Sequence, residues 1–229
     1  MIYENIRWAY FLDRPNRFIA NIEIDGKSEL CHVKNTGRCK ELLTKGARIF
    51  VQEKDIPTRK TKYDLISVYK GERLVNIDSQ APNRVFEQWV AYSGLFMNIE
   101  RIQPEYRIGG SRFDFYIEAD GRRSVIEVKG VTLERDGIAL FPDAPTQRGV
   151  RHLRELIELV KVGYEAYFMF IVQMKGVLCV VPNMETHAEF GHALQEASEN
   201  GVRLLAIDCH VTRNSITPAD EVRVVVAGK

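Results

Sequence analysis

Long apolar runs are missing from this 229-residue chain: none approaches the roughly 18 residues from which a membrane-spanning helix is read. The opening segment MIYENIRWAY also lacks the basic start and apolar core of a secretory signal. These absences lead us to expect a cytoplasmic protein with no membrane partner. Cysteine is scarce. Cys31, Cys39, Cys179 and Cys209 show no C-x-x-C spacing, which argues against a zinc site or a disulfide framework and leaves plain reduced thiols. His187 and His192 stand five apart, not the four that places two ligands on one helical face. A net charge of only +1 excludes a polycation that holds nucleic acid by bulk charge. Internal repeats, low-complexity tracts and helix-turn-helix spacing are absent too, which weakens a sequence-specific repressor of that type.

What is present is the composition of an ordinary soluble protein, 45% hydrophobic and 28% charged, with enough length to bury a core in one large domain or two small ones. Residues 1–80 carry 15 Lys+Arg against 11 Asp+Glu, a net of +4, and residues 81–229 carry 17 against 20, a net of −3. The asymmetry is modest and fits a surface on which both signs mix. The first segment reads as short strands. RFIANIEID, KSELCHV, ARIFVQEK, YDLISVYK and RLVNID alternate or are β-branched, with Asp25-Gly26 and Lys70-Gly71 as hairpin signals. RCKELLTKG is expected to form a short helix closed by Gly46. Five or so strands in this length predict a small all-β barrel of OB type over residues 1–80.

The pattern changes at DSQAPNRV, so a second domain of α/β class is expected over 81–229. A helix is predicted from about Arg84 to Phe96, then a strand over NIERIQPEYRI and a hairpin, RFDFYIEADGRRSVIEVKG. The loop LERDGIALFPDAPT leads to a helix over about 147–162, whose Val150, Leu153, Leu156, Ile157 and Val160 recur at helical spacing. AYFMFIVQM is a continuous apolar run, as in a strand buried on both faces. A strand VLCVV, a helix over about 185–199 and a strand RLLAID follow. The core order is αβββαβ.

The hairpin carries the chemistry. With Asp120-Gly121 at the centre of the turn, paired positions sum to 241, which sets Asp114 opposite Glu127 with Cβ atoms roughly 4.5–5.5 Å apart. Lys129 shares their face, and Phe113, Phe115, Ile117, Ile126 and Val128 fall on the other. Like charges set opposite one another destabilise a sheet unless something offsets them. Mg²⁺ or Mn²⁺ held by the two carboxylates would do so, with Lys129 placed to orient a water or stabilise charge on a phosphate. A surface ion network of Asp114, Glu127, Lys129 and Arg112 is the plainer alternative. In its αβββαβ context the hairpin resembles the motif of the PD-(D/E)xK nuclease superfamily, with its restriction-endonuclease-like fold. The resemblance implies Asp114, Glu127 and Lys129 as catalytic residues and Glu87, on the first helix, as a further metal ligand. It also implies that Gln147 and Arg148, at the anion-favouring start of the later helix, support the site.

Residues 32–43, HVKNTGRCKELL, have no chemistry derivable from spacing, although Asn35-Thr36-Gly37-Arg38 reads as a turn leaving Arg38 free to reach an anion. Taken with SQAPNRV, RFDFYIE, VIEVKGVTL, FPDAPTQRGVRHLREL and MFIVQ, this segment resembles the sugar fermentation stimulation protein family over essentially the whole chain. Cys39 stands where an apolar residue is expected. The resemblance implies an OB-like domain joined to a PD-(D/E)xK-like domain in a DNA-binding bacterial or archaeal protein. Two functions stay open: a Mg²⁺-dependent nuclease acting on DNA or RNA, and a non-catalytic DNA-binding regulator of sugar metabolism. For the second, the basic loop Arg59, Lys60 and Lys62, with Tyr63 and Tyr69, offers phosphate and stacking contacts. A homodimer is left open.

Overall fold

The computed structural model describes residues 1–35, 37–55 and 57–226, so Thr36 of the Asn35–Arg38 turn lies outside the described residues. Six strands come first: β1 (Ile6–Asn16), β2 (Ile19–Ile24), β3 (Lys27–Val33), β4 (Arg48–Glu53), β5 (Tyr63–Lys70) and β6 (Arg73–Asn76). Antiparallel pairs β1–β2, β2–β3, β4–β5 and β1–β4 are closed by a parallel β3–β5 pairing, which completes a five-stranded barrel in the order β1-β2-β3-β5-β4. Closure removes the exposed sheet edges of so small a domain. The expected number of strands is right, but the set differs. β1 was not anticipated, and the strand around Arg73–Asn76 pairs only with β5, outside the barrel. In β1 Ala9 and Phe11 point inward while Trp8 and Tyr10 point outward, so aromatics on the solvent side hide the alternation. RCKELLTKG forms turns and no helix; Cys39 O accepts from both Leu42 N and Leu43 N, and the coil is not continued.

The second unit runs α1 (Ala81–Val90), β7 (Ile99–Ile108), β8 (Ser111–Ala119), β9 (Arg122–Val131), β10 (Leu133–Arg135), β11 (Ile138–Phe141), α2 (Gln147–Lys161), β12 (Glu165–Val172), β13 (Cys179–Pro182), α3 (Met184–Glu199), β14 (Arg203–Thr212), β15 (Ser215–Glu221) and β16 (Arg223–Val224). The αβββαβ order is present as α1-β7-β8-β9-α2-β12. β12 lies parallel between β9 and β14 in the six-stranded sheet β15-β14-β12-β9-β8-β7. α1 starts and ends earlier than expected, because Pro82 is accommodated in its first turn and Gly94, at φ +72°, belongs to the turn beyond it. The loop at 133–146 contains a hairpin, β10–β11, turning at Asp136-Gly137 and joined by β13 and β16 in a second sheet.

Both faces of the main sheet are buried. One core runs from the barrel interior (Ile22, Val51, Leu65) to the face under α2 and α3 (Val125, Leu153, Phe168, Phe190). The other lies under α1, around Phe86, Trp89, Phe115 and Ile126. No helix among the described residues is long and apolar enough to cross a membrane. All four cysteines are free, and Cys39 is fully buried, so it fills the apolar position its neighbours prescribe.

Candidate active site

The β8–β9 hairpin turns on Asp120 (φ +52°) and Gly121 (φ +71°), the left-handed pair that a two-residue turn of this hand requires. Its ladder pairs Ala119 with Arg122 through Phe115 with Ile126, every pair summing to 241 as the turn dictates. There it stops. At the next step the Asp114 side chain replaces the backbone, with Oδ2 accepting from Val128 N at 2.8 Å. Asp114 Oδ1 accepts from Asn83 Nδ2 in the first turn of α1 at 3.0 Å. Across β7, Glu105 adopts φ +53°, and beyond this point β8 has rotated. Phe115 packs on Phe86 of α1, whereas Phe113 lies against His152 of α2, so the two phenylalanines expected on one face serve opposite cores. The strands open where the acids sit.

Glu127 is only 1% exposed. Its Oε1 receives the Lys129 ammonium and the His152 ring, the latter at 2.5 Å from Nδ1. Arg148 Nε donates to the other ring nitrogen of His152 at 3.4 Å. Glu127 Oε2 is buried and has no hydrogen-bond partner among the described residues. These groups line an open cleft of about 310 Å³, with Asp114, Glu127, Lys129 and Arg148 on its walls beside Ser79, Asn83 and Thr146. Burial, then the neighbouring Glu127 charge, raises the Asp114 carboxyl above its ordinary value. Burial works the same way on Glu127, but the His152 hydrogen bond and the Lys129 charge outweigh it and hold that carboxyl below the usual range. The two environments push the acids apart, a pattern typical of paired carboxylates that share chemistry.

The other expected site residues are dispersed. Glu87 lies one turn after Asn83 on α1, exposed, on the wall of an adjoining cleft of about 520 Å³ shared with Arg84, Pro104 and Phe115. Among the described residues no group of three or more His, Cys, Asp or Glu side chains converges as a metal cage. Gln147 turns away to His187 (3.3 Å) and Glu189 (3.1 Å) on α3. On the barrel, Arg59 is bound by Asp64, Lys62 pairs with Glu53 at 2.7 Å, Lys60 is exposed, and Tyr63 is buried. Arg38 is exposed, but its backbone N–H is committed to Asp143 Oδ2 at 2.9 Å. That carboxylate belongs to the loop between Phe141 and Thr146, which both line the cleft. Gly37 and Arg38 thus tie the barrel to the cleft's rim. Arg14 fastens the turn by donating to the carbonyls of Asn35, Gly37 and Arg38.

Two features carry more than the sequence reading gives them. His152, which the sequence offers along this helix with Gln147, Arg148, Arg151 and Arg154, lies not on its polar face but within the apolar stripe of α2, between Gly149 and Leu153. On the barrel exterior, Trp8 and Tyr10 of β1 meet edge to face at 5.3 Å. Beside them Arg48 of β4 lies 4.5 Å over Tyr69, itself 5.9 Å from Phe50. Trp8 is 62% and Tyr10 37% exposed, so this row faces solvent.

Comparison with known proteins agrees with this architecture. The family models described as "Sugar fermentation stimulation protein RE domain" and "SfsA N-terminal OB domain" match residues 80–215 and 12–77. A sugar fermentation stimulation protein homolog of Desulfitobacterium hafniense is 58% identical, covering 98% of each chain, and one of Clostridium beijerinckii is 54% identical, covering 99% of this chain and all of its own. The solved structure of Pyrococcus furiosus SfsA in complex with Ca²⁺ is 29% identical and superposes with a TM-score of 0.89 over 99% of this chain and 98% of that one. The barrel, the αβββαβ core and the relatives that span both leave one assignment: the chain belongs to the sugar fermentation stimulation protein family.

Proposed function

We propose that this chain is a divalent-metal-dependent nuclease that hydrolyses phosphodiester bonds of DNA, with RNA as the alternative polymer, and that it works in the cytoplasm. The observation that carries the reading is Glu127 Oε2, a buried carboxylate oxygen without a partner, beside Asp114 in an open cleft. A buried polar oxygen of this kind is costly to leave without a partner, even with Oε1 held by Lys129 and His152. Two carboxylates with hard oxygen donors suit Mg²⁺ or Mn²⁺, which take one or two protein carboxylates and complete their shell with water and phosphate oxygens. The Ca²⁺ complex of the Pyrococcus furiosus relative supports the same choice of ion class. Asp114 and Glu127 would hold the ion, with Glu87 on the adjoining wall as the further acid. When bound, it supplies positive charge to the scissile phosphate.

The protein's own groups do the rest. Asn83 and the Val128 N–H fix Asp114; Lys129 brings a cation to the cleft for charge that develops on the phosphate. Arg148, on the cleft wall, and Arg38, whose backbone N–H meets Asp143 at its rim, would meet flanking phosphates, and exposed Lys60 would meet the strand where it crosses the barrel. Arg59, Lys62 and Gln147 would contribute only by leaving Asp64, Glu53 and the His187–Glu189 pair. A second reading, a DNA-binding regulator that does not cut, is favoured by the outward aromatic row of the barrel.

The test is incubation of the purified full chain with single- and double-stranded DNA and with RNA in Mn²⁺ or Mg²⁺. Cleavage is expected, abolished by Asp114→Asn and by Lys129→Ala while thermal melting shows both variants folded. A folded wild type that cuts none of these polymers overturns the nuclease reading, and one that binds DNA without cutting leaves the regulator.

A further inference from the structure

His152 is 1% exposed in α2, and nothing in the fold requires a polar ring in that apolar stripe. Its two nitrogens are both spoken for. The Arg148 Nε–H can only donate, so the His152 Nε2 it meets at 3.4 Å must accept. A neutral ring that accepts at Nε2 carries its proton at Nδ1, and Nδ1 lies 2.5 Å from Glu127 Oε1. The proton therefore points at the carboxylate. With Lys129 on the same oxygen, Oε1 is saturated and the carboxylate cannot rotate freely; Oε2 is the atom left unpartnered, on a residue that lines the cleft.

We infer that His152 is a positioning residue, which donates from Nδ1 to Glu127 Oε1 and so presents Oε2 to a divalent cation, with Arg148 as the lock on its tautomer. The inference rests on the metal-dependent reading of the site but is separable from catalysis, since it concerns the affinity of the full chain for the cation itself. Groups that orient a metal's ligands from behind typically change affinity 10–100-fold when removed.

The experiment is calorimetric titration of the full chain with Mn²⁺ alone, with no nucleic acid present. His152→Phe, which keeps a ring against Phe113, should weaken binding about 10–100-fold. His152→Asn carries an amide N–H near the place of Nδ1 and should regain most of that loss, a rescue that a space-filling role would not give. Arg148→Met separates the inference from simple electrostatics. Removing a cation beside the site should tighten cation binding if charge alone matters, whereas loss of the tautomer lock weakens it. Nitrogen-15 spectra of the metal-free protein should show His152 protonated at Nδ1 and bare at Nε2. Should His152→Phe fail to fold, the Arg148→Met titration and the tautomer carry the decision. Wild type that binds Mn²⁺ no better than an Asp114→Asn chain overturns the metal-site reading itself. Wild type that binds, with His152→Phe or Arg148→Met binding as tightly or tighter, or with His152 protonated at Nε2, overturns this inference alone.

Discussion

Gly130 follows Lys129 in β9, and the space beside it is already occupied. A Cβ there would stand 2.4 Å from Gln173 Oε1 and 2.7 Å from Pro82 Cγ. Gln173 has little room to retreat, since its Nε2 donates to Asn76 Oδ1 at 2.9 Å and to the Asp78 carbonyl at 3.0 Å. Gly130→Ala should therefore cost about 1–3 kcal/mol, the usual range for overpacking a filled site. A urea midpoint equal to that of wild type would show that the neighbours yield without cost. At this scale the sequence is readable where geometry is strictly periodic. The Asp-Gly turn and the two-residue repeat of a strand give the register from Ala119–Arg122 to Phe115–Ile126, and the ladder ends just before the expected pair of Asp114 with Glu127. They do not reveal that β8 rotates at Asp114 and sends Phe113 to the other core, against His152 of α2, because a strict two-residue repeat carries no sign of a local twist. Nor do they reveal that Glu127 is buried, because His152, which compensates its charge together with Lys129, comes from a helix that the register does not relate.

Among the elements, β1 has the largest unexplained exposure. A strand whose inward residues are Ala9 and Phe11 has no packing need for Trp8 and Tyr10 outside. With Phe50, Tyr69 and Arg48 on the adjacent strands they make a ring-and-guanidinium row on a curved sheet, the chemistry on which unpaired bases stack. Trp8→Ala should weaken binding of a labelled single-stranded DNA oligonucleotide by about 1–3 kcal/mol, or roughly 5- to 150-fold, because that is the usual worth of one stacked base. Thermal stability should barely change, as the side chain is already 62% in solvent. Fluorescence anisotropy that gives the same dissociation constant for both chains would remove the row from the nucleic-acid path. This strand was missed for the reason that makes it interesting: outward aromatics look like core residues in a hydrophobicity pattern. The long, evenly patterned α2 was legible to within a residue of its ends. The hairpin β10–β11 was not, since strands of three and four residues carry too few positions to show a period.

Across the whole molecule, the barrel and the α/β unit are joined by contacts between residues far apart in the chain, which no local pattern encodes. Asp143 docks on the Arg38 N–H across a separation of 105 residues, Asn76 N donates to the Gln173 carbonyl at 2.9 Å, and Met1–Tyr3 cross from the barrel to lie along β15. Glu134, the middle residue of β10, is the ionic member of this set. Its carboxylate meets Lys70 of β5 at 2.6 Å and Arg73 of β6 at 3.0 Å, and accepts the Gly137 N–H. Burial raises the Glu134 carboxyl, but the Lys70 hydrogen bond, the Gly137 N–H and the two cations outweigh it and hold it below its ordinary value. A carboxyl depressed in the folded state stabilises above its unfolded pKa, about 4.3 for Glu, and that contribution is lost as pH falls through the lower folded value. At neutral pH, Glu134→Gln should cost about 1–2 kcal/mol, toward the low side for charge-assisted hydrogen bonds because Lys70 and Arg73 are each about 30% exposed. The stability gap between wild type and variant should stay constant from pH 7 down to about pH 5 and then close in acid, as the wild-type carboxyl protonates and the Gln chain does not respond. Urea unfolding of both chains at a series of pH values measures that gap directly, and a gap that widens toward acid would mean that Glu134 does not hold the two units together through its charge.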